Sequence, residues 1–277
     1  MAKKRPKLQK GSDIGWAGVG GIALIVLAIA CGGALAYFHF STPKPPVLDA
    51  QSLCPVDGPR GITVVLVDTS DELPETTRRE VQVILDDLIA TLPPLYKLDI
   101  RVLDIAGGRS RSLFSKCNPG DGAGLSEWTS NPRIARMRWI ESFRKPAADA
   151  VKSSVASAKA ASSPLMGAIQ DIAISEFSSA ANQSAQKSLI VISDMIEYTR
   201  DYGQYQGDLS FDRYKRSPAY LKYRTDLHGA ATTIRYVTRQ NAKGQPILND
   251  LKHAEFWIQW MKDSGAASVE VKRLQGA

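Results

Sequence analysis

Two short acidic segments in this sequence each follow a run of aliphatic residues. Asp68-Thr69-Ser70-Asp71-Glu72 comes directly after residues 62–67, and Ser193-Asp194 comes directly after residues 189–192. Such runs are typical of strands that are buried on both faces, as in the middle of a parallel sheet. Because ligands bind at the carboxyl ends of strands in open α/β sheets, we expect the two acidic segments to share one site.

The elements that must position this site alternate along the chain between strands and helices. Alternation of this kind predicts an α/β fold with a doubly wound, mainly parallel, Rossmann-like sheet. Within the predicted helix at 132–161, Ile134 and Met137 have a spacing that favours packing in the core. The other predicted helices begin at Leu73-Pro74-Glu75, at Ser162-Ser163-Pro164 and at Leu251, and the other predicted strands cover residues 98–102, 230–237 and 269–271.

Three of the predicted loops resemble those of a von Willebrand factor A (vWA) domain. The motifs are Asp68-x-Ser70-x-Glu72, Ser162-Ser163-Pro164 and Ser193-Asp194, and the order of elements is similar over residues 60–275. In that family the first loop usually reads Asp-x-Ser-x-Ser, the second supplies a threonine and the third an aspartate. The resemblance implies a metal-ion-dependent adhesion site for Mg²⁺, a cation that takes about six oxygen ligands. Its ligands here would be Asp68, Ser70, Glu72, Ser163 and Asp194.

Two departures from the family pattern alter this site, because Ser163 replaces the threonine and Glu72 replaces the second serine. The extra carboxylate of Glu72 either strengthens cation binding or fills the position that a partner's carboxylate would take. A third interpretation is that Asp68 and Asp194 only accept hydrogen bonds from backbone N–H groups at the strand ends. The sequence leaves these alternatives open.

The N-terminal part of the chain is typical of a membrane anchor. Residues 1–13 carry five basic residues against Asp13, and residues 14–40 contain no Asp, Glu, Lys or Arg. This pattern predicts a transmembrane signal anchor at 14–40 with a cytoplasmic N-terminus. Residues 41–60 contain five prolines and form a predicted stalk, which leaves residues 61–277 as the vWA-like domain.

A cleaved leader is the alternative to an anchor. Ala34-Leu35-Ala36 is compatible with a signal-peptidase site, and Ala28-Ile29-Ala30-Cys31 weakly matches a lipoprotein cleavage box. The apolar region of a signal peptide is usually about 7–15 residues long, and the apolar stretch here is longer. We therefore expect a protein of a bacterial-type inner membrane, with its C-terminal domain periplasmic or extracellular.

Two cysteines in the predicted exported part, Cys54 and Cys117, are candidates for a disulfide, and two free thiols at loop ends are the alternative. The sequence has no Cys-x-x-Cys or Cys/His pattern for zinc. Its net charge of +7 comes mostly from the basic N-terminal tail. Nucleic-acid binding is therefore not expected.

A segment rich in tyrosine and basic residues, 197–226, follows the second acidic loop. It contains six of the nine tyrosines in the chain. Tyrosine and arginine are enriched where proteins bind one another, although a surface loop anchored by its own aromatic residues would have the same composition. The predicted partner-binding residues are Tyr198, Arg200, Tyr202, Tyr205, Tyr214 and Arg216.

These features together predict a single-pass inner-membrane protein that presents a vWA-like scaffold or adhesion domain to another protein of an envelope-associated complex. The first hypothesis is that binding depends on Mg²⁺, and the second is a metal-independent interaction domain on the same fold. A metal-assisted phosphohydrolase that uses Asp68, Glu72 and Asp194 is the third. No nucleophile elbow, phosphate-binding loop or His-Glu-x-x-His motif is present, so we do not expect an enzyme.

The predicted topology is tested with reporters fused after Ala277. We expect a reporter that functions only outside the cytoplasm to be active and one that functions only in the cytoplasm to be silent. The opposite pattern would overturn the orientation.

Overall fold

The structure is a computed structural model, and it describes residues 16–41, 46–125, 131–155, 160–205, 209–240, 246–248 and 250–274. The chain forms two compact units, residues 1–46 and 47–277. The predicted basic tail at 1–13 lies outside the described residues, as do parts of the predicted stalk and the end of the helix predicted at 132–161.

The first unit is an apolar helix, α1 (Trp16–Ser41). Within it, Val19–Phe38 is long and apolar enough to cross a membrane by length and composition. Its 20 residues would span about 30 Å at 1.5 Å per residue, which matches a hydrocarbon core.

The second unit is built on one sheet. Among the described residues, six strands pair in the order β3-β2-β1-β4-β5-β6, and only β3 runs antiparallel to its neighbour. The prediction of a mainly parallel α/β sheet is confirmed. The strands are β1 (Gly61–Val67), β2 (Tyr96–Asp104), β3 (Arg109–Cys117), β4 (Gln186–Ser193), β5 (Ala231–Tyr236) and β6 (Ser268–Arg273).

Helices cover both faces of the sheet, because the central strands are apolar on both sides. On one face Val65 and Val67 pack with apolar residues of α2 and α4, and on the other Val64 and Leu66 pack with α5 and α8. The helices are α2 (Glu75–Thr91), α3 (Pro132–Trp139), α4 (Lys145–Ser154), α5 (Leu165–Ile172), α6 (Phe211–Lys215), α7 (Pro218–Lys222) and α8 (Asp250–Asp263).

Strand β2 is more deeply buried than its alternating sequence predicted. Asp99 is fully buried and accepts a hydrogen bond from Arg101 Nε at 2.7 Å, while Arg101 Nη2 lies 2.9 Å from Glu176. Lys97 Nζ reaches the same glutamate at 2.7 Å. Charged residues on this strand are therefore compatible with burial because they neutralise one another, and removal of one partner from such a cluster typically costs about 3–5 kcal/mol.

The helix predicted at 132–161 differs from expectation in two ways. A π-helical turn (Ile140–Arg144) joins α3 to α4 just before Pro146. The prediction that Ile134 and Met137 pack in the core is wrong, since they are 57% and 59% exposed. Phe143, which lies in the π-helical turn, is fully buried. Within α3 only Trp139, its last residue, is buried, so the segment reaches the core from that residue onward.

Cys54 and Cys117 form a disulfide. It joins the segment that enters the domain to the end of β3, and the backbone N–H of Cys117 also donates to the carbonyl of Ser52 at 2.8 Å. The entry segment is thereby fixed at the end of the sheet where the parallel strands begin. We call this end the base and the opposite end, where the parallel strands finish, the rim.

Candidate functional site

The two acidic segments meet at the rim because β1 and β4 are adjacent and parallel. Val67 pairs with Ile192, and the backbone N–H of Asp68 continues the ladder by donating to the carbonyl of Ile192 at 2.9 Å. Strand β1 lies between β2 and β4. The chain adds β2 and β3 on one side of β1 and then β4, β5 and β6 on the other, so the direction in which the sheet grows reverses between β1 and β4. This is the position at which open α/β sheets bind ligands.

The carboxylate of Asp68 is buried and shared among groups from all three predicted loops. Its Oδ1 accepts the backbone N–H of Ser70 at 2.8 Å, and its Oδ2 accepts the hydroxyl of Ser193 at 2.7 Å. The hydroxyl of Ser163 lies 3.4 Å from the same Oδ2. The structure therefore brings Asp68, Ser70 and Ser163 together with the loop that carries Asp194.

Arg239 is the residue of this site that sequence reasoning missed. Its Nε donates to Asp194 Oδ2 at 2.6 Å, and its Nη2 forms an ion pair with Asp71. It follows β5, and the backbone N–H of Val237 donates to the carbonyl of Ser193 at 2.9 Å, which places this loop beside the acidic ones. The rule that selected Asp194, a polar residue just after a buried strand, applied equally to Arg239.

Burial governs the electrostatics of Asp194. Loss of water around its carboxyl group raises its pKa to about 6, and the nearby carboxylate of Asp68 adds to the rise. The backbone N–H of Ile196, which donates to Oδ1 at 2.9 Å, and the guanidinium of Arg239 oppose this rise. At neutral pH Asp194 is thus mainly ionised, and Arg239 supplies its counter-charge.

Glu72 lies at the mouth of the site and not within its hydrogen-bonded centre. Its side chain is 69% exposed, and Oε1 is 3.8 Å from Arg78 Nη2 on α2. A surface ion pair at this distance contributes little to stability. Of the five predicted metal ligands, Glu72 is the one that the structure places apart from Asp68, Ser163 and Asp194.

The residues present do not fit a divalent cation without rearrangement. Both oxygens of Asp194 already have partners, because one accepts a hydrogen bond from the backbone N–H of Ile196 and the other from Arg239. A permanently charged guanidinium already stands where a cation would be attracted. Within the described ranges, no group of three or more His, Cys, Asp or Glu side chains has an arrangement suited to a metal ion.

The site opens into a cavity of about 300 Å³ between the first acidic loop and the loop after β5. Pro74 and Val237 form the apolar part of the cavity wall. Arg239 and the carboxylates of both acidic loops form the polar part. The cavity is therefore polar at its floor and large enough for one side chain of a binding partner. Its other lining residues include Leu73, Thr238 and Gln240.

The tyrosine-rich segment divides into core and surface residues. Tyr214 is only 1% exposed and packs with Phe256, and Tyr202 is partly buried against the same core. These two of the predicted partner-binding residues mainly anchor the segment. Tyr198 and Tyr205 are 47% and 42% exposed, with ring centroids 5.3 Å apart. Arg200 and Arg216 are also exposed.

The segment is fixed to the rim through its backbone. Ser163 and Tyr198 exchange two backbone hydrogen bonds of 2.9 and 3.0 Å, so the second predicted loop pairs directly with the start of the segment. The side chain of Gln204 accepts the backbone N–H of Glu197 at 2.9 Å and lies 3.0 Å from His253 of α8. The segment is thus an integral part of the site.

Glu197 is a buried carboxyl group that sequence reasoning did not select. Its Oε2 accepts the backbone N–H of Met166 at 2.8 Å, in the first turn of α5, and its Oε1 has no hydrogen-bond partner. Burial raises its pKa from the ordinary 4.5 to about 8. Glu197 is therefore protonated at neutral pH and neutral beside Asp68.

This protonation predicts a pH-dependent difference between wild type and Glu197→Gln. A raised pKa in the folded state means that the stabilisation is complete below about pH 4.5 and is lost as the pH rises to about 8. Because Gln stays neutral, we expect the variant to become more stable than wild type by up to about 1.4 kcal/mol per pH unit across this range. Urea unfolding between pH 5 and pH 8.5 measures the difference, and a pH-independent difference would contradict the prediction.

Comparisons with known proteins find similarity among solved structures and at low sequence identity. No family model matches the sequence, and no curated protein matches it. Among solved structures, an aerotolerance-related membrane protein from Bacteroides fragilis is 14% identical with a TM-score of 0.34, covering 76% of this chain and 92% of that chain. The VWA domain of SpRpn10 is 11% identical with a TM-score of 0.38, covering 78% and 90%. With its strand order and rim loops, the chain has a vWA-like fold that follows one apolar helix.

Proposed function

We propose that this protein is a single-pass inner-membrane protein whose vWA-like domain binds another protein of an envelope-associated complex at the rim, without a metal ion. The domain lies outside the cytoplasm. Its binding surface combines the cavity floored by Asp68 and Asp194 with the exposed residues Tyr198, Arg200 and Tyr205.

The ion pair between Arg239 and Asp194 is the observation that carries the metal-independent form of the proposal. In an adhesion site a divalent cation neutralises the clustered carboxylates and leaves a position open for a partner. Here the guanidinium of Arg239 pairs with both Asp194 and Asp71 from within the chain. Because arginine stays charged at every physiological pH, this pairing needs no ion from solution.

The exposed tyrosines support a protein as the partner. Burial raises the pKa of Tyr205, and the negative charge of the Asp194 carboxylate raises it further. The hydroxyl of Tyr205 is therefore close enough to the site to interact electrostatically with Asp194. An open cavity of about 710 Å³ adjoins this surface, lined in part by Gly107, Pro164 and Tyr198. Large aromatic side chains beside a cavity are typical of residues that dominate protein–protein binding energy.

The hydrolase hypothesis requires the same carboxylates to hold a catalytic Mg²⁺. Arg239 already pairs with Asp194, and Glu72 is turned toward Arg78, so neither carboxylate favours that role. An interaction domain needs no such ion. It also gives a role to the exposed tyrosines Tyr198 and Tyr205, for which hydrolysis has no use.

The role of Arg239 is tested by the response to Mg²⁺. We expect millimolar Mg²⁺ or a chelator to leave the melting temperature of wild type unchanged, because Arg239 already occupies the side of Asp194 and Asp71 that a cation would approach. Arg239→Ala removes this charge, so Mg²⁺ should stabilise the variant, by about 2–4 °C for each kcal/mol that Mg²⁺ adds to the free energy of unfolding. Arg200→Ala, which removes an exposed arginine of the rim, is the matched control. A wild type that Mg²⁺ stabilises as strongly as the variant would favour metal-dependent binding instead.

The binding surface is tested by photo-crosslinking in native membranes. A photoreactive amino acid at Tyr205 should give a discrete protein adduct that persists in chelator, whereas the same group at Val83, which is exposed on α2, should not. Arg200→Ala should weaken the Tyr205 adduct, because truncation of an interface arginine often costs more than about 1 kcal/mol. Equal adducts at both positions would remove the rim as the binding surface.

A further inference from the structure

The last strand of the sheet, β6, has one edge that is not covered by a neighbouring strand. Among the described residues, β6 pairs only with β5. Val269 and Val271 are partly buried, and the other four residues of the strand are exposed. An open edge presents backbone N–H and C=O groups that can pair with a strand of another chain. Strand β6 is therefore a candidate interaction surface that the proposed function does not use.

One backbone hydrogen bond at the end of β6 shows which of its residues face outward. The backbone N–H of Leu274 donates to the carbonyl of Tyr236 at 2.9 Å, so Leu274 faces β5. Successive residues of a strand direct their backbone groups to opposite sides. The residues that direct N–H and C=O away from the sheet are therefore Val269, Val271 and Arg273.

The exposed face of β6 carries two opposite charges. Glu270 and Lys272 are two positions apart, so their side chains lie on the same face of the sheet. Lys272 Nζ lies 2.9 Å from Glu270 Oε2, and the two side chains are 45% and 57% exposed. Charged residues on an edge strand discourage unspecific strand addition. A strand that pairs with β6 must therefore present charges in the complementary order.

A second copy of β6 presents this complementary order when it runs antiparallel. With Val271 opposite Val271 of the second copy, Glu270 of each copy lies opposite Lys272 of the other. The two neighbouring registers that still pair the outward-facing backbone groups place Glu270 opposite Glu270, or Lys272 opposite Lys272. Opposite charges directly across from each other stabilise paired strands, and like charges destabilise them. Charge therefore selects one register.

The same register also satisfies the backbone groups of the open edge. Val271 forms a hydrogen-bonded pair with its own counterpart, and Val269 forms one with Arg273 on either side of it. Glu270 and Lys272 then occupy the intervening pairs, which exchange no backbone hydrogen bonds and at which opposing side chains lie closer together. The charges that select the register are thus placed where they interact most strongly.

We propose that two copies of this chain associate through β6, antiparallel and with Val271 on the twofold axis, so that their sheets form one continuous sheet. The contact is isologous, because both copies contribute the same residues. The ion pair between Glu270 and Lys272 of each copy becomes part of a ring of four alternating charges. The two rims lie at opposite ends of the joined sheet, so association leaves both open to a partner.

Disulfide crosslinking of the full chain in native membranes tests the register, with Cys31→Ser in every copy to remove the free thiol. Val271→Cys should crosslink to itself, because the Cα atoms of a hydrogen-bonded pair lie about 5.5 Å apart, within the range of a disulfide. Val269→Cys and Arg273→Cys should each fail alone, since their counterparts lie roughly 14 Å away, and should crosslink when coexpressed. Leu113→Cys, partly buried on the edge strand β3, is the matched control.

Charge reversal tests whether a second copy is the occupant. Glu270→Lys and Lys272→Glu each place like charges opposite one another, so each should lower the association constant, read from the Val271→Cys crosslink, by roughly fourfold or more. When the two variants are coexpressed with different tags, the positive strand should pair with the negative one and restore the crosslink. Recovery on coexpression would show that each variant is folded.

A crosslink of Leu113→Cys as strong as that of Val271→Cys would overturn the proposal, and so would a self-crosslink of Val269→Cys. A discrete adduct of Val271→Cys with a different protein would assign the edge to that protein and also overturn it. Charge variants that lose the crosslink and do not regain it on coexpression would contradict the register. The photo-adduct at Tyr205 reports on the rim alone, so either proposal can fail without the other.

Discussion

The site depends on one constraint, which is that two carboxylates are buried side by side at the ends of adjacent strands. Asp68 and Asp194 lie where water is largely excluded, and there an uncompensated negative charge is costly. Backbone N–H groups, the hydroxyl of Ser193 and the guanidinium of Arg239 stabilise these carboxylates by donating hydrogen bonds to them. Once these partners are in place, the first acidic loop, the loop after β4 and the loop after β5 can adopt few other arrangements. The same parallel register that buries the strands brings the charges together.

The tyrosine-rich segment extends this constraint from the sheet to the surface. Glu197 reaches back to the first turn of α5, and Gln204 connects the segment to His253 of α8. Burial lowers the pKa of His253 to about 4, so this connection is made by a neutral imidazole. Aromatic residues such as Tyr214 fill the core beneath, which leaves Tyr198 and Tyr205 held in a defined position beside the cavity. A rigid scaffold that presents a few aromatic side chains loses little conformational entropy on binding.

The two ends of the domain differ in chemistry. The rim combines carboxylates, one arginine that pairs with two of them, and exposed tyrosines. The base carries the disulfide that holds the segment by which the chain enters the domain. The strands of the central sheet run from one end to the other.

The sequence by itself determined the five parallel strands, the apolar N-terminal helix and the loops that form the rim, but not the antiparallel strand β3 or the short helices α6 and α7. It did so because buried parallel strands and polar strand ends leave local signals, as at residues 62–67 and at Asp194. It could not determine that Arg239 joins Asp194, that Glu72 turns toward Arg78, or that Arg101 and Asp99 neutralise one another inside the sheet. Those contacts depend on which chain segments become neighbours in space. It also assigned Ile134 and Met137 to the core, because helical periodicity shows that a face is apolar but not what covers it. Only the tertiary structure decided that Trp139 is the residue of α3 that packs in the core and that Ile134 and Met137 stay exposed.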